Sequence, residues 1–64
     1  MTRNEARLSM LLGLKVRWHK WAHKNMYCYI DLEGDICLSH ETTTLNYNYV
    51  FMTIQSFKDG WEIY

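Results

Sequence analysis

Arg17 and Trp21 stand four residues apart, flanked by Lys20 and Lys24, in a chain that carries three Trp, five Tyr and two Phe. A guanidinium is a planar fork that grips a phosphate through two parallel N–H bonds, which an ammonium cannot do. An indole face stacks on a nucleobase for about 1–3 kcal/mol. One helical turn, or a bend out of a strand, brings such a pair to the same side. Trp61 and Tyr64 at the other end of the chain offer two further rings. Arg17, Trp21, Trp61 and Tyr64 are therefore the candidate ligand-binding set, suited to a small anionic nucleotide at or near a subunit interface. The competing reading is structural: Arg17 pairs with Glu62 across adjacent strands, and Trp21 caps the core.

Other chemistry finds less support. His19 and His23 are spaced to share a helix face, and Cys28, Cys37 and His40 are further potential metal ligands. Residues 18–24 do not read as a strong helix, however, and no Cys-x-x-Cys is present. Exposed loop histidines are the preferred reading, and no metal or cofactor is expected. Ser9, Ser39 and Ser56 lack the context of an activated nucleophile. Asp31, Glu33 and Asp35 flank a turn, where solvated carboxylates are ordinary. The three glycines fall at element ends and build no phosphate loop. These features point to a binding protein and away from an enzyme.

Sixty-four residues make one domain, residues 1–64, with a thin stability margin. A hydrophobic share of 48% argues for a folded core, and 16% aromatic residues are more than one small core hides easily. A homo-oligomer is the expected outlet. Formal net charge is zero, seven Lys/Arg against seven Asp/Glu, which supplies no basic face for bulk nucleic acid. The charge is uneven: Arg3, Arg7, Lys15, Arg17, Lys20 and Lys24 precede most of the acids. That arrangement suits a small anion or the acidic half of a neighbouring subunit. No apolar run approaches the roughly 18 residues that span a bilayer. With two cysteines and a polar start, a cytoplasmic setting is expected.

The elements that must position these residues read as an α+β fold, a single N-terminal helix on a small twisted antiparallel sheet. Thr2 and Glu5 form a capping-box pattern, Leu8, Leu11 and Leu12 form an i, i+3, i+4 stripe, and Gly13 stops the helix. The pattern predicts a helix over 3–12, packed on the sheet by those leucines. Strands are expected near 14–18, 26–32, 36–39 and 61–64. The turn at Glu33-Gly34-Asp35 reads as a three-residue hairpin loop pairing Leu32 with Ile36 and Ile30 with Leu38. That register puts Cys28 and Cys37 on opposite faces, which excludes a disulfide between them. Residues 40–48 read as a loop. The alternation over 50–55 suggests a strand, with a short helix as the alternative.

Several strings carry a resemblance: Asn4-Glu5-Ala6, Leu11-Leu12-Gly13-Leu14-Lys15-Val16-Arg17, Trp21, Tyr27-x-Tyr29-Ile30-x-Leu32, Gly34-Asp35-Ile36, and Asp59-Gly60-Trp61-Glu62-Ile63-Tyr64. Over most of its length the chain resembles short phage proteins that include the second type of Thoeris anti-defence protein. A type of anti-CRISPR protein is similar as well. The resemblance implies a phage counter-defence protein in the bacterial host cytoplasm that sequesters a cyclic nucleotide immune signal. The alternative it implies is direct inhibition of a host protein. A small zinc-bound accessory protein is a third, weaker reading. Residues 42–48 have no counterpart in the family pattern.

Overall fold

The computed structural model describes residues 1–64. Helix α1 (Arg3–Leu11) is followed by strands β1 (Val16–Trp18), β2 (Met26–Ile30), β3 (Ile36–His40) and β4 (Thr43–Asn46). Helix α2 (Asn48–Thr53), a 3-10 turn (Gln55–Lys58) and strand β5 (Trp61–Ile63) complete the chain. The sheet is antiparallel throughout, in the order β4-β3-β2-β1-β5. This is the expected α+β architecture, one N-terminal helix on a small antiparallel sheet, with a second short helix added.

Helix α1 is bounded as its sequence dictates. The Thr2 hydroxyl accepts the Glu5 N–H, and the Glu5 carboxylate accepts the Thr2 N–H, which completes the capping box. At the other end the Gly13 N–H donates to the Met10 carbonyl and the Leu14 N–H to the Ser9 carbonyl. This Schellman closure needs a left-handed residue, and Gly13 supplies it at φ 88°. The orientation differs from expectation. Ala6 and Met10 face the sheet at 0% and 2% exposure, while Leu8, Leu11 and Leu12 point to solvent. The inner space is already filled by the rings of Phe51, Phe57 and Trp61. A small alanine and one pliable methionine fit against them where a leucine stripe would not.

The sheet has one covered and one open face. Val16, Cys28, Ile36, Leu38 and Trp61 alternate onto the covered face and join Ala6, Met10, Phe51 and Phe57 in one core. In the hairpin, Ile30 pairs with Ile36 and Cys28 with Leu38, two residues away from the expected register. The slip arises because the Asp31 carboxylate accepts the N–H groups of Glu33 and Asp35, which widens the loop and pushes Leu32 to its tip. A two-residue slip preserves parity, so each side chain keeps its face. Cys28 and Cys37 lie on opposite faces, both free, as the alternation requires.

Two further segments depart from the sequence reading. Thr43–Asn46 is an edge strand paired with β3, not a loop. Residues 48–53 are helical, the alternative reading, with Phe51 turned into the core. The Arg3 side chain donates to the carbonyls of Phe51 and Ile54, tying the start of α1 to the end of α2. No helix is long and apolar enough to cross a membrane.

Candidate functional site: the open face of the sheet

Period-two alternation on β1 and β2 sends Arg17, Tyr27 and Tyr29 to the side of the sheet opposite the core. Lys15 and Tyr64 extend that face beyond the strand ends, where the Tyr64 N–H donates to the Lys15 carbonyl at 2.9 Å. Three rings therefore gather without a covering helix. The Tyr27 and Tyr64 centroids are 4.7 Å apart with a 42° tilt, and Tyr29 lies 5.9 Å from Tyr27. The Lys15 ammonium sits 4.7 Å from the Tyr27 centroid, over its negative face.

Arg17 borders the rings. Its Nη1 lies 2.6 Å from Glu62 Oε2, its cross-strand neighbour. Its Nη2 donates to the Trp21 carbonyl at 2.6 Å, and Nε is buried without a partner. The pairing with Glu62 that the structural reading anticipated is thus present. Glu62 is half exposed, so this carboxylate rests on the solvent side of the guanidinium.

The four residues singled out from sequence do not form one cluster. Arg17 and Tyr64 share the open face. Trp21 meets Arg17 through its backbone carbonyl, while its ring packs edge-on to Trp61 at 5.5 Å and Phe57 at 6.1 Å. Trp61 is 2% exposed, in contact with Phe51, and donates its indole N–H to the Phe57 carbonyl. The indole of Trp61 consequently offers no face to a ligand in the single chain. Lys15, Tyr27 and Tyr29 take its place on the open side. Their signal was the Lys15-x-Arg17 and Tyr27-x-Tyr29 spacing, which places like side chains on one strand face.

The remaining chemistry-bearing groups serve structure. Asp31, Glu33 and Asp35 bring their carboxylates within 4.8 Å of one another. Asp31 holds the loop as described, and Asp35 accepts from the Asn48 amide at 2.9 Å. The N–H of Asp35, then the other groups donating to Asp31, hold its carboxyl below the usual carboxylate range. Burial pushes the Cys28 thiol up to about 12 and raises that of Cys37, where the Asp31 carboxylate adds to the effect. His19 and His23 are not on a helix and serve different neighbours: His19 Nδ1 meets the Gly60 carbonyl, and His23 packs on His40 at 4.6 Å.

Compared with known proteins, the chain matches no family model, no curated relative and no solved structure.

Proposed function

We propose that the protein is a non-catalytic binder that takes a small anionic nucleotide on the open face of its sheet and sequesters it. The observation that carries this reading is the set of three tyrosines, Lys15 and Arg17 on the one sheet face that no helix covers. A nucleobase stacks on Tyr27 or Tyr64, the ring nearest to it supplying about 1–3 kcal/mol. Lys15 gives a point charge for phosphate. Arg17 Nη1 becomes available for phosphate when Glu62, a half-exposed side chain, swings into solvent, while Nη2 stays anchored on the Trp21 carbonyl. Thiols held protonated by burial and carboxylates engaged with backbone N–H groups support binding rather than catalysis. The resemblance to phage counter-defence proteins supports a cyclic nucleotide immune signal as the ligand and the bacterial host cytoplasm as the setting.

A second reading is direct inhibition of a host defence protein. It is favoured by the openness of the face and by its tyrosine and arginine content, since such residues dominate protein–protein hot spots.

Calorimetric titration separates the two. Cyclic dinucleotides, cyclic ADP-ribose isomers and linear nucleotides are titrated into the parent, Lys15→Ala, Tyr27→Ala and, as a control on α2, Tyr49→Ala. The expected result is loss of at least about tenfold in affinity for the first two variants, equivalent to about 1.4 kcal/mol, with the control unchanged. Undiminished binding by both folded variants removes the open face from the site. A parent that binds no member of the panel but co-elutes with one host protein establishes the second reading instead.

A further inference from the structure

Helix α1 is apolar on two opposite sides. At about 100° per residue, Ala6 and Met10 lie together on the core side, while Leu8, Leu11 and Leu12 cluster roughly half a turn away. These leucines are 57%, 55% and 80% exposed, and Leu14, just past the helix, is 45% exposed. A helix with one apolar stripe needs one surface to pack on; a helix with two needs a second. At the same spacing the exposed Asn4 falls between Leu8 and Leu11, and Glu5 beside Leu12, so the N-terminal end of the outer face is polar and its C-terminal part is aliphatic. Glu5 is held back by the cap and Arg3 reaches to the carbonyls at the end of α2.

We propose that the outer face of α1 is a self-association surface, covered by the same face of a second copy across a two-fold axis. The inference stands on the orientation of α1 and does not depend on the nucleotide reading. Three observations select a second copy as the occupant. First, the C-terminal part of this face, Leu8, Leu11, Leu12 and Leu14, is aliphatic, so its complement is another aliphatic patch, and an isologous contact provides one automatically. Second, the area fits. Four leucines at these exposures present on the order of 400 Å² of apolar surface, the size at which exposed patches mark contacts. Two such faces with their polar rims approach about 1,200 Å², the lower bound of a specific interface. Third, only ten of the 64 residues are buried, so the single chain has a small core and gains from sharing one. A contact at this lower bound of size belongs with weak, reversible dimers.

Sedimentation velocity from about 1 to 300 µM tests the proposal, a range chosen to bracket micromolar affinity. The parent is expected to move from 7.8 kDa toward twice that mass as concentration rises. Added salt should not reverse the shift, because the contact is apolar. Leu8→Glu combined with Leu12→Glu is expected to remain monomeric while keeping the far-ultraviolet dichroism of the parent. Leu12→Gln alone, a milder change at the most exposed position, should weaken the dimer at least several-fold if the double variant folds poorly. Leu32→Glu, at the hairpin tip, should leave it intact. A parent that is monomeric at 300 µM overturns the proposal. So does a dimer indifferent to the α1 substitutions. A monomeric parent that floats with phosphatidylcholine–phosphatidylglycerol vesicles through Leu8 and Leu12 also overturns it, in favour of a lipid surface.

Discussion

Met10→Ala and Leu11→Ala are adjacent changes that should differ several-fold in cost. Met10 is 2% exposed and packs with Phe51, Phe57 and Trp61, so truncation removes its transfer energy and leaves a cavity. For a buried methionine that combination is worth about 2–5 kcal/mol. Leu11 is more than half exposed, so alanine forfeits less than half of the roughly 1.5–3 kcal/mol that full burial of a leucine contributes. It leaves no cavity, and the better helix propensity of alanine offsets part of the loss. A cost of about 0.5–1 kcal/mol results by the same bookkeeping. In a domain of this length 1 kcal/mol moves the melting temperature by about 4–8 °C. The two variants should therefore melt well apart. Urea unfolding followed by tryptophan fluorescence, at protein concentrations low enough to keep the chain monomeric, measures both. If Leu11→Ala costs as much as Met10→Ala, α1 is rotated by half a turn and the leucines face inward, which would also remove the basis for self-association through them.

Gly60→Ala should cost about 1–3 kcal/mol or more, because Gly60 has φ 94° and a Cβ there meets the His19 ring and Trp18 Nε1. Gly13→Ala, with φ 88° and open space around it, should cost only the backbone strain, about 1 kcal/mol; equal melting temperatures would refute the contact argument. Acid should weaken the fold through Glu5 and Asp31, whose carboxyls are held below their ordinary values of 4.5 and 3.8, chiefly by backbone N–H groups of Thr2 and Asp35. Their contribution is complete above those ordinary values and is lost as pH falls through the lower folded ones, so Glu5→Gln and Asp31→Asn should flatten the acid limb of a melting-temperature profile. Iodoacetamide at pH 8 should label neither cysteine appreciably until the chain unfolds, and Cys28, raised to about 12, should follow Cys37 in native-state mass spectra; rapid labelling of native Cys28 would contradict its burial.

The limits of α1 were legible because they are set by local chemistry, Thr2 and Glu5 at one end and Gly13 at the other. Its rotation was not. Leu8, Leu11 and Leu12 do share one face, as their spacing requires, but periodicity does not say whether that face points in or out. The decision came from Phe51, Phe57 and Trp61, which arrive near the other end of the chain and occupy the interior. Residues 47–54 carry both patterns: Val50, Met52 and Ile54 alternate like a strand, while Tyr47, Val50 and Phe51 follow i, i+3, i+4. The helical set prevailed because it turns Phe51 to the core. Strand β4 was hidden for the opposite reason. All four of its residues are exposed, so an edge strand there has no buried face to reveal it. The hairpin loop was misjudged because the carboxylate of Asp31 substitutes for backbone pairing, which spacing alone does not disclose.

The candidate site was legible in composition and less so in membership. Arg17 does share a sheet face with aromatic rings, yet those rings are Tyr27, Tyr29 and Tyr64, because strand alternation sends Trp18 and Trp61 to the other side. That division has a consequence for how the two proposed surfaces combine. The open tyrosine face lies on one side of the sheet, and the leucine stripe lies on the far side of the helix that covers the other. In a molecule of 24 × 24 × 19 Å they are separated by the thickness of the fold. A dimer built on α1 therefore directs its two tyrosine faces outward and away from each other. A small ligand reaches only one of them, so neither site borrows a residue from the partner copy. Binding should be one ligand per chain, without cooperativity, and with the same affinity in the parent dimer and in the monomeric Leu8→Glu, Leu12→Glu variant. Calorimetric titration at protein concentrations above and below the dimer midpoint checks this. A stoichiometry of one ligand per two chains, or affinity lost together with the dimer, would mean that the ligand sits between subunits and that the leucine stripe and the tyrosine face do not act independently.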